Sequence, residues 1–450
     1  MGRENIKSIE KCEETVVRTR IYNARILTME EGRKVFKGEI QIEDGRISCV
    51  KPCDGDGEDI NKGIWDHEID AEGSLIMPGF KNAHTHSPMT FLRSYADDMK
   101  LQEWLYDKVF PAEAKLTEDD IYWLTKLAIM EYLTSGITSA FDMYMKKHET
   151  ARASEETGFR MVLCGDINDF GGTAQDVEND YLKYNKDKNS LVSYRMGFHA
   201  EYTTSRELME SLAETADKYQ APVCVHCSET KKEVEECRER SGMSPVAYMD
   251  SLGLFRHGGV LFHGVHMDES DFDIIKKRGI YVVTNPASNL KLASGVAPVK
   301  RYLDLGIPVA IGTDGPASNN CLDMFREMFL VTGLQKVYCD DPEAVSARDV
   351  LKMAVTGGAH AMGLTDCDMI APGKCADLIM IDLTQPNMQP LHNIEKNIVY
   401  SASKQNVKMT MIDGKVLYQD GIFHIGETKE KIYENANRIA ERILGTQESE

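Results

Sequence analysis

Short apolar runs recur through the middle of the chain, separated by stretches in which apolar residues return every three to four positions. The first run, Ser74-Leu75-Ile76-Met77, leads into Pro78-Gly79-Phe80-Lys81-Asn82-Ala83-His84-Thr85-His86. Further runs occupy residues 137–144, 160–168, 193–202, 222–229, 259–267, 280–285 and 308–314. Runs of this length, apolar almost throughout, predict strands buried on both faces. The segments between them predict helices over 118–135, capped by Thr117, and over 206–219, capped by Ser205, with two more over 268–278 and 323–338. About eight strands alternating with helices would close a parallel (β/α)8 barrel of the TIM type, so the fold class expected is α/β. A doubly wound open sheet shares the alternation and is the competing architecture.

The two ends of the chain pattern differently. Residues 16–27, 39–43 and 47–50 are short extended pieces separated by Gly, Asp and Pro clusters. Residues 377–381 and 407–418 are of the same kind, the latter broken by a hairpin signal at Asp413-Gly414. They predict a small β-sandwich domain assembled from both chain ends and split by the barrel. The expected organisation is β-sandwich over 1–77, barrel over 78–372, the rest of the β-sandwich over 373–427, and a C-terminal helix and tail over 428–450. The amphipathic segment 429–441 is expected to pack on the β domain.

Composition narrows the function classes. At 450 residues and 42% hydrophobic, the chain is too long for one simple core. A net charge of −20 is repelled by nucleic-acid phosphates and by anionic lipid, so the partner expected is a small molecule, with no nucleic acid and no membrane. Eleven scattered cysteines predict reduced thiols. A charged segment 1–20 without an apolar centre, and no apolar span of membrane length, predict a cytoplasmic protein. A homo-oligomer is expected, of a size the sequence does not give.

Candidate chemistry collects where a barrel would use it. Alternate residues of an extended strand point the same way, so His84 and His86 offer two imidazoles to one ion. A pair of surface histidines at a strand end competes with that reading, and imidazole alone does not choose among zinc, iron, copper and nickel. The later strands weigh against the surface reading. The fourth contains His199 and Glu201, the fifth ends in His226 and then Glu229, the sixth carries His263 and His266, and the eighth ends in Gly312-Thr313-Asp314-Gly315. Barrels of this type carry their functional groups at the C-terminal ends of the strands. His84, His86, His226 and Asp314 as ligands, with one position left for water, make an open catalytic metal site. Cys224 and Cys227 have CxxC spacing, but their thiols fall on opposite faces of one strand and are expected to be structural.

These stretches line up in order with Leu92-Arg93, Leu101-Gln102-Glu103-Trp104-Leu105, Pro111-Ala112-Glu113, His226-Cys227-Ser228-Glu229, Leu261-Phe262-His263-Gly264-Val265-His266 and Asn285-Pro286-Ala287-Ser288-Asn289. Together, over nearly the whole chain, they resemble the amidohydrolase superfamily, and closely its methylthioadenosine/S-adenosylhomocysteine deaminase branch. The resemblance implies an aminohydrolase that converts the 6-amino group of an adenine nucleoside to a 6-oxo group and releases ammonia. Its substrates would be 5′-methylthioadenosine, 5′-deoxyadenosine, adenosine or S-adenosylhomocysteine. It also implies one divalent ion per subunit, zinc first and iron second, because strand four offers no lysine to bridge a second ion. By the same resemblance Glu229 shuttles a proton to the ring nitrogen, Asp314 ligates the ion and takes a proton from its water, and His263 polarises the attacking oxygen. Trp104, Glu113, His199 and Glu229 would contact the nucleoside, Glu113 at the ribose and Trp104 at the 5′ side. One departure stands out: residues 168–191 contain no arginine, only Lys183, Lys186 and Lys188, which disfavours a carboxylate-bearing 5′ substituent. The rivals are a triazine-type chlorohydrolase or aminohydrolase of the same superfamily, and a catalytically inactive barrel used as a scaffold.

Overall fold

The computed structural model describes residues 16–53 and 64–445. Eight parallel strands form a barrel: β1 (Phe80–Thr85), β2 (Ile137–Met143), β3 (Arg160–Cys164), β4 (Val192–Ala200), β5 (Val223–Cys227), β6 (Gly259–His263), β7 (Tyr281–Thr284) and β8 (Val309–Ile311). Neighbours in the chain are neighbours in the sheet. β8 and β1 close the ring, with the Thr313 and Asp314 nitrogens donating to the His84 carbonyl at 3.1 and 3.0 Å. Asn82 locks the same seam, its amide donating to Thr313 Oγ1 at 2.7 Å and accepting from the Thr313 nitrogen at 2.9 Å. Closure sets His84 and Asp314 side by side and excludes the open doubly wound sheet. Every residue of β1, β2, β3, β5 and β6 is buried, which is why these strands read as unbroken apolar runs. The strands are shorter than the runs because the last residues of each run leave the ladder for the rim.

A cluster including Phe141, Val162, Cys164, Cys224, Val260, Phe262 and Val283 fills the interior beneath the rim. Cys227 belongs to the separate cluster between strands and helices, so the two CxxC thiols do lie on opposite faces. Both are free.

The β domain from both chain ends is a nine-stranded mixed sheet. Its halves join where Leu75–Pro78 pairs antiparallel with Leu378–Ile381. The run Leu75-Ile76-Met77 therefore belongs to this sheet, and the chain switches sheets at Gly79. The Gly79 nitrogen donates to Asp377 O at 3.0 Å and the next nitrogen, Phe80, to Gly136 O at 2.9 Å. A Cβ on Gly79 would lie 2.1 Å from Thr138 Cγ2, so the crossing requires glycine.

Thr117 caps helix Glu118–Thr134, its hydroxyl accepting from the Asp120 nitrogen at 3.3 Å. Ser205 stands at the N-cap of Arg206–Tyr219, but its side chain makes no cap bond; its nitrogen is held instead by Asp169 Oδ1 at 2.9 Å. The C-terminal helix, Lys429–Leu444, buries Ile432, Ala436, Ile439 and Ile443. Its principal partner is helix Glu118–Thr134, where the sequence suggested the β domain. Arg442 pairs with Asp120, and Lys431 Nζ lies 5.3 Å over the Trp123 ring. Among the described residues no helix is long and apolar enough to cross a membrane.

Candidate metal centre and substrate cavity

Four acceptor atoms converge at the C-terminal rim. His84 and His86 come from the end of β1, His226 from β5, and Asp314 from the turn after β8. His84 Nε2 lies 3.1 Å from His226 Nε2, and Asp314 Oδ1 lies 3.2 Å from His86 Nε2 and 3.6 Å from His84 Nε2. The Nδ1 atoms of His86 and His226 face the carbonyls of Met143 and His199, the latter at 2.7 Å. Those bonds keep a proton on Nδ1 and turn each Nε2 inward; burial lowers His86, but Asp314 beside it pushes it up to about 9, so its Nε2 must give up a proton to hold a cation. Burial first, and then the neighbouring imidazoles, hold His84 and His226 well below the ordinary histidine value. Neutral imidazoles facing one another at hydrogen-bond distance beside a carboxylate form a donor set that fits a divalent cation. Gly312 permits the approach, since a Cβ there would lie 2.8 Å from His84 Cβ and 2.4 Å from Asn285 Oδ1.

Asp314 is held from three sides. Its Oδ2 accepts from Ser288 at 2.6 Å and Ser318 at 2.8 Å, and its Oδ1 accepts from the Gly315 nitrogen at 2.8 Å. Burial alone would raise it, but the His86, His263 and His84 imidazoles hold it well below the carboxylate range. His263 accepts at Nδ1 from Asn289 at 2.8 Å, which leaves the proton on Nε2, 3.7 Å from Glu229 Oε2. Burial, with the Asp314 charge beside it, pushes Glu229 up to about 8. Ser294 donates to Glu229 Oε1 at 3.3 Å, and His266 Nε2 binds Ser294 O at 2.7 Å, so His266 props the serine and is no ligand. His263 and Asp314 both sit in the left-handed backbone region, φ 75° and 61°, a strain that concentrates at functional sites.

A cavity of about 760 Å³ opens over these groups, within the size range of small-molecule sites. Trp104, Glu113, His199 and Glu229 all line it. Trp104 begins a wide π-helical turn, Trp104–Val109, which runs into the short helix Phe110–Glu113. Glu113 ends that helix; the Tyr144 hydroxyl donates to it at 2.6 Å, and burial pushes it up to about 7. His199 turns its ring to the cavity while its carbonyl orients His226, and burial lowers it to about 4. Lys183, Lys186 and Lys188 do not line the cavity; its cations are Lys146 and Lys147.

The sequence profile of the amidohydrolase family matches residues 75–417. The chain belongs to the amidohydrolase family. It is 40% identical over 432 residues to the 5-methylthioadenosine/S-adenosylhomocysteine deaminase of Desulforamulus reducens, covering 94% of this chain and 99% of that one. It is 39% identical over 417 residues to the 5′-deoxyadenosine deaminase of Methanothermobacter thermautotrophicus, covering 91% and 96%. An adenosine deaminase from Xanthomonas campestris with bound zinc superposes with a TM-score of 0.90 at 31% identity, covering 95% and 99%. For an amidohydrolase, the chain's His/His/His/Asp cluster is a metal-binding site of the expected make-up.

Residues that hold the site had drawn no role from sequence. Ser288, Asn289, Ser294 and Ser318 fix Asp314, His263 and Glu229, and Tyr144 fixes Glu113. The motif Asn285-Pro286-Ala287-Ser288-Asn289 carried a signal for two of them, though not for what they hold.

Proposed function

We propose that the chain is a hydrolytic deaminase of adenine nucleosides, dependent on one zinc ion held by His84, His86, His226 and Asp314. The observation that carries this reading is the four inward acceptors beside a buried Glu229 that keeps a proton near neutral pH, in a cavity of nucleoside size. When bound, the ion lowers the pKa of a water toward neutrality and so supplies the nucleophile. Asp314, ionised and held at Oδ2 by two hydroxyls, takes the proton of the attacking water. His263 donates from Nε2 to the oxygen that adds at C6. Glu229 gives its proton to the ring nitrogen N1, worth ~10²–10⁴-fold. The proton taken by Asp314 leaves with the amine and the proton remaining on the C6 oxygen returns to Glu229, so nucleoside and water give the 6-oxopurine and ammonia. Glu113 pairs with ribose hydroxyls, His199 meets the nucleoside, and Trp104 packs beside its 5′ side.

The test is to incubate the purified protein with adenosine, 5′-methylthioadenosine, 5′-deoxyadenosine and a chlorotriazine, measuring ammonia, chloride and bound zinc. Ammonia from the nucleosides is expected. Chloride from the triazine with no ammonia from any nucleoside would establish the chlorohydrolase rival instead. No turnover of either class, with no bound metal, would leave the scaffold reading standing.

A further inference from the structure

Helix Met324–Cys339 follows β8 on the outside of the barrel. Its inner side is tied to the metal centre: Glu327 accepts from the Ala287 nitrogen at 3.0 Å and from Asn319 at 2.8 Å, and Asn319 also donates to Thr313 O at 2.6 Å. Whatever fixes this helix also fixes the turn that carries Asp314.

Its outer side is apolar and uncovered, with Phe329 52% and Val337 84% exposed. Arg326, Phe329, Gly333 and Val337 fall on one stripe of the helix, and the position of Asp340, which caps the helix in the left-handed conformation at φ 50°, lies at its end, the spacings being 3, 4, 4 and 3. The spacings are the same read from either end. Gly333 stands at the centre, and a Cβ there would meet nothing within 4 Å. Nothing in this chain's own packing calls for a glycine at that point, and glycine is the least favourable residue in a helix interior after proline. A bare centre flanked by bulkier apolar residues allows a second helix to approach closely. At the ends of the stripe the Arg326 and Asp340 side chains have no ion-pair partner among the described residues.

We propose that this stripe is a self-complementary interface on which a second copy of the chain docks about a two-fold axis through Gly333, the two helices antiparallel. The operation sends each position to the one equally far on the other side of Gly333, so Phe329 meets the partner's Val337 and Arg326 meets the partner's Asp340, each pair formed twice. A parallel arrangement would oppose arginine to arginine and aspartate to aspartate, so charge selects the two-fold arrangement. Tyr400, 38% exposed and bound through its hydroxyl to Lys336 at 2.9 Å, extends the apolar patch beside the stripe.

Sedimentation equilibrium of the full chain tests this without reference to catalysis. The wild type is expected to associate at micromolar concentration. Val337→Asp is expected to raise the dissociation constant at least about tenfold by placing a charge against Phe329. Arg326→Asp alone sets carboxylate against carboxylate and weakens association, while the double variant R326D/D340R restores it by reversing the pair. That rescue distinguishes an interface from a folding defect. A monomeric wild type, an assembly unchanged by Val337→Asp, or a double variant no tighter than Arg326→Asp would each overturn the proposal.

Discussion

At the floor of the barrel, Arg160 grips Asp377 through two bonds of 2.6 and 3.0 Å, and Asp377 also accepts from the Asp413 nitrogen at 2.9 Å. Lys81, wholly buried at the start of β1, donates a hydrogen bond to Thr138 Oγ1 at 2.6 Å and lies in the field of Asp377. At the rim, two residues further along β1 from Asn82, His84 faces His226 and Asp314, and its Nδ1 has no partner among the described residues. Both ends bury ionisable groups and both shift their pKa values, so a shifted pKa does not by itself mark the working end. The distinction lies in what is left over. The floor pairs its charges with one another, whereas the rim gathers three imidazoles and a carboxylate in the arrangement of a cation site.

The largest effect should come from breaking the rim. His84→Ala or His226→Ala removes one of the four proposed ligands, and metal content and deaminase activity are expected to fall to background together. Metal analysis of the purified variants checks this, and stoichiometric metal in both would disprove the ligand assignment. Next comes Glu229→Gln, which should keep the metal but lower kcat by ~10²–10⁴-fold, because an amide neither gives nor takes the proton. Near-normal turnover would move the proton transfer to another group, with His263 next in line.

The floor should answer in stability and leave the chemistry alone. Asp377→Asn leaves the buried Arg160 with only the half-buried Asp413, 3.8 Å away, as counter-charge; loss of a buried partner typically costs ~3–5 kcal/mol. Denaturant unfolding is expected to show that loss, with kcat and metal content of the folded fraction unchanged. The sign with pH follows from the shift. Burial alone would raise Asp377, but Arg160 holds it below its ordinary value. The pair's contribution is therefore complete above the unfolded-state value of about 3.9 and fades as pH falls through the lower folded value. A variant that lost metal as readily as it lost stability would erase the contrast between the two ends.

What could be read in advance follows the same physics. Strands buried on both faces leave continuous apolar runs, so the barrel and its polar strand ends were legible, with His84, His86, His226 and Asp314 among them. The switch of sheets at Gly79 leaves no break in the pattern itself, because Leu75–Pro78 and β1 make one apolar run across two sheets. The partner of helix Lys429–Leu444 was hidden because an apolar stripe states that something covers it and not what. Ser288, Ser294 and Ser318 escaped for a third reason: single hydroxyls have no periodicity, and their role exists only after distant loops meet.

The smallest effect expected concerns the 5′ side of the nucleoside, where the cavity's cations were sought on the wrong loop. Arg93 is engaged with Glu131, Arg152 bonds Glu149 at 2.8 Å, and Arg160 is committed to the floor, so none of them reaches the cavity. Lys147 is neutralised by Asp166. That leaves Lys146, at φ 52° just after the end of β2, as a point charge without the planar fork that suits a carboxylate. Missing hydrogen bonds to a charged group cost ~1.5–3 kcal/mol, or about ten- to a hundredfold in binding. The kcat/KM for 5′-methylthioadenosine or 5′-deoxyadenosine is therefore expected to exceed that for S-adenosylhomocysteine by at least about tenfold. Steady-state assays on the three substrates check it. Equal activity on S-adenosylhomocysteine, lost in Lys146→Ala, would show that one lysine suffices where a fork was thought necessary, and that this rim discriminates substrates by length and not by charge.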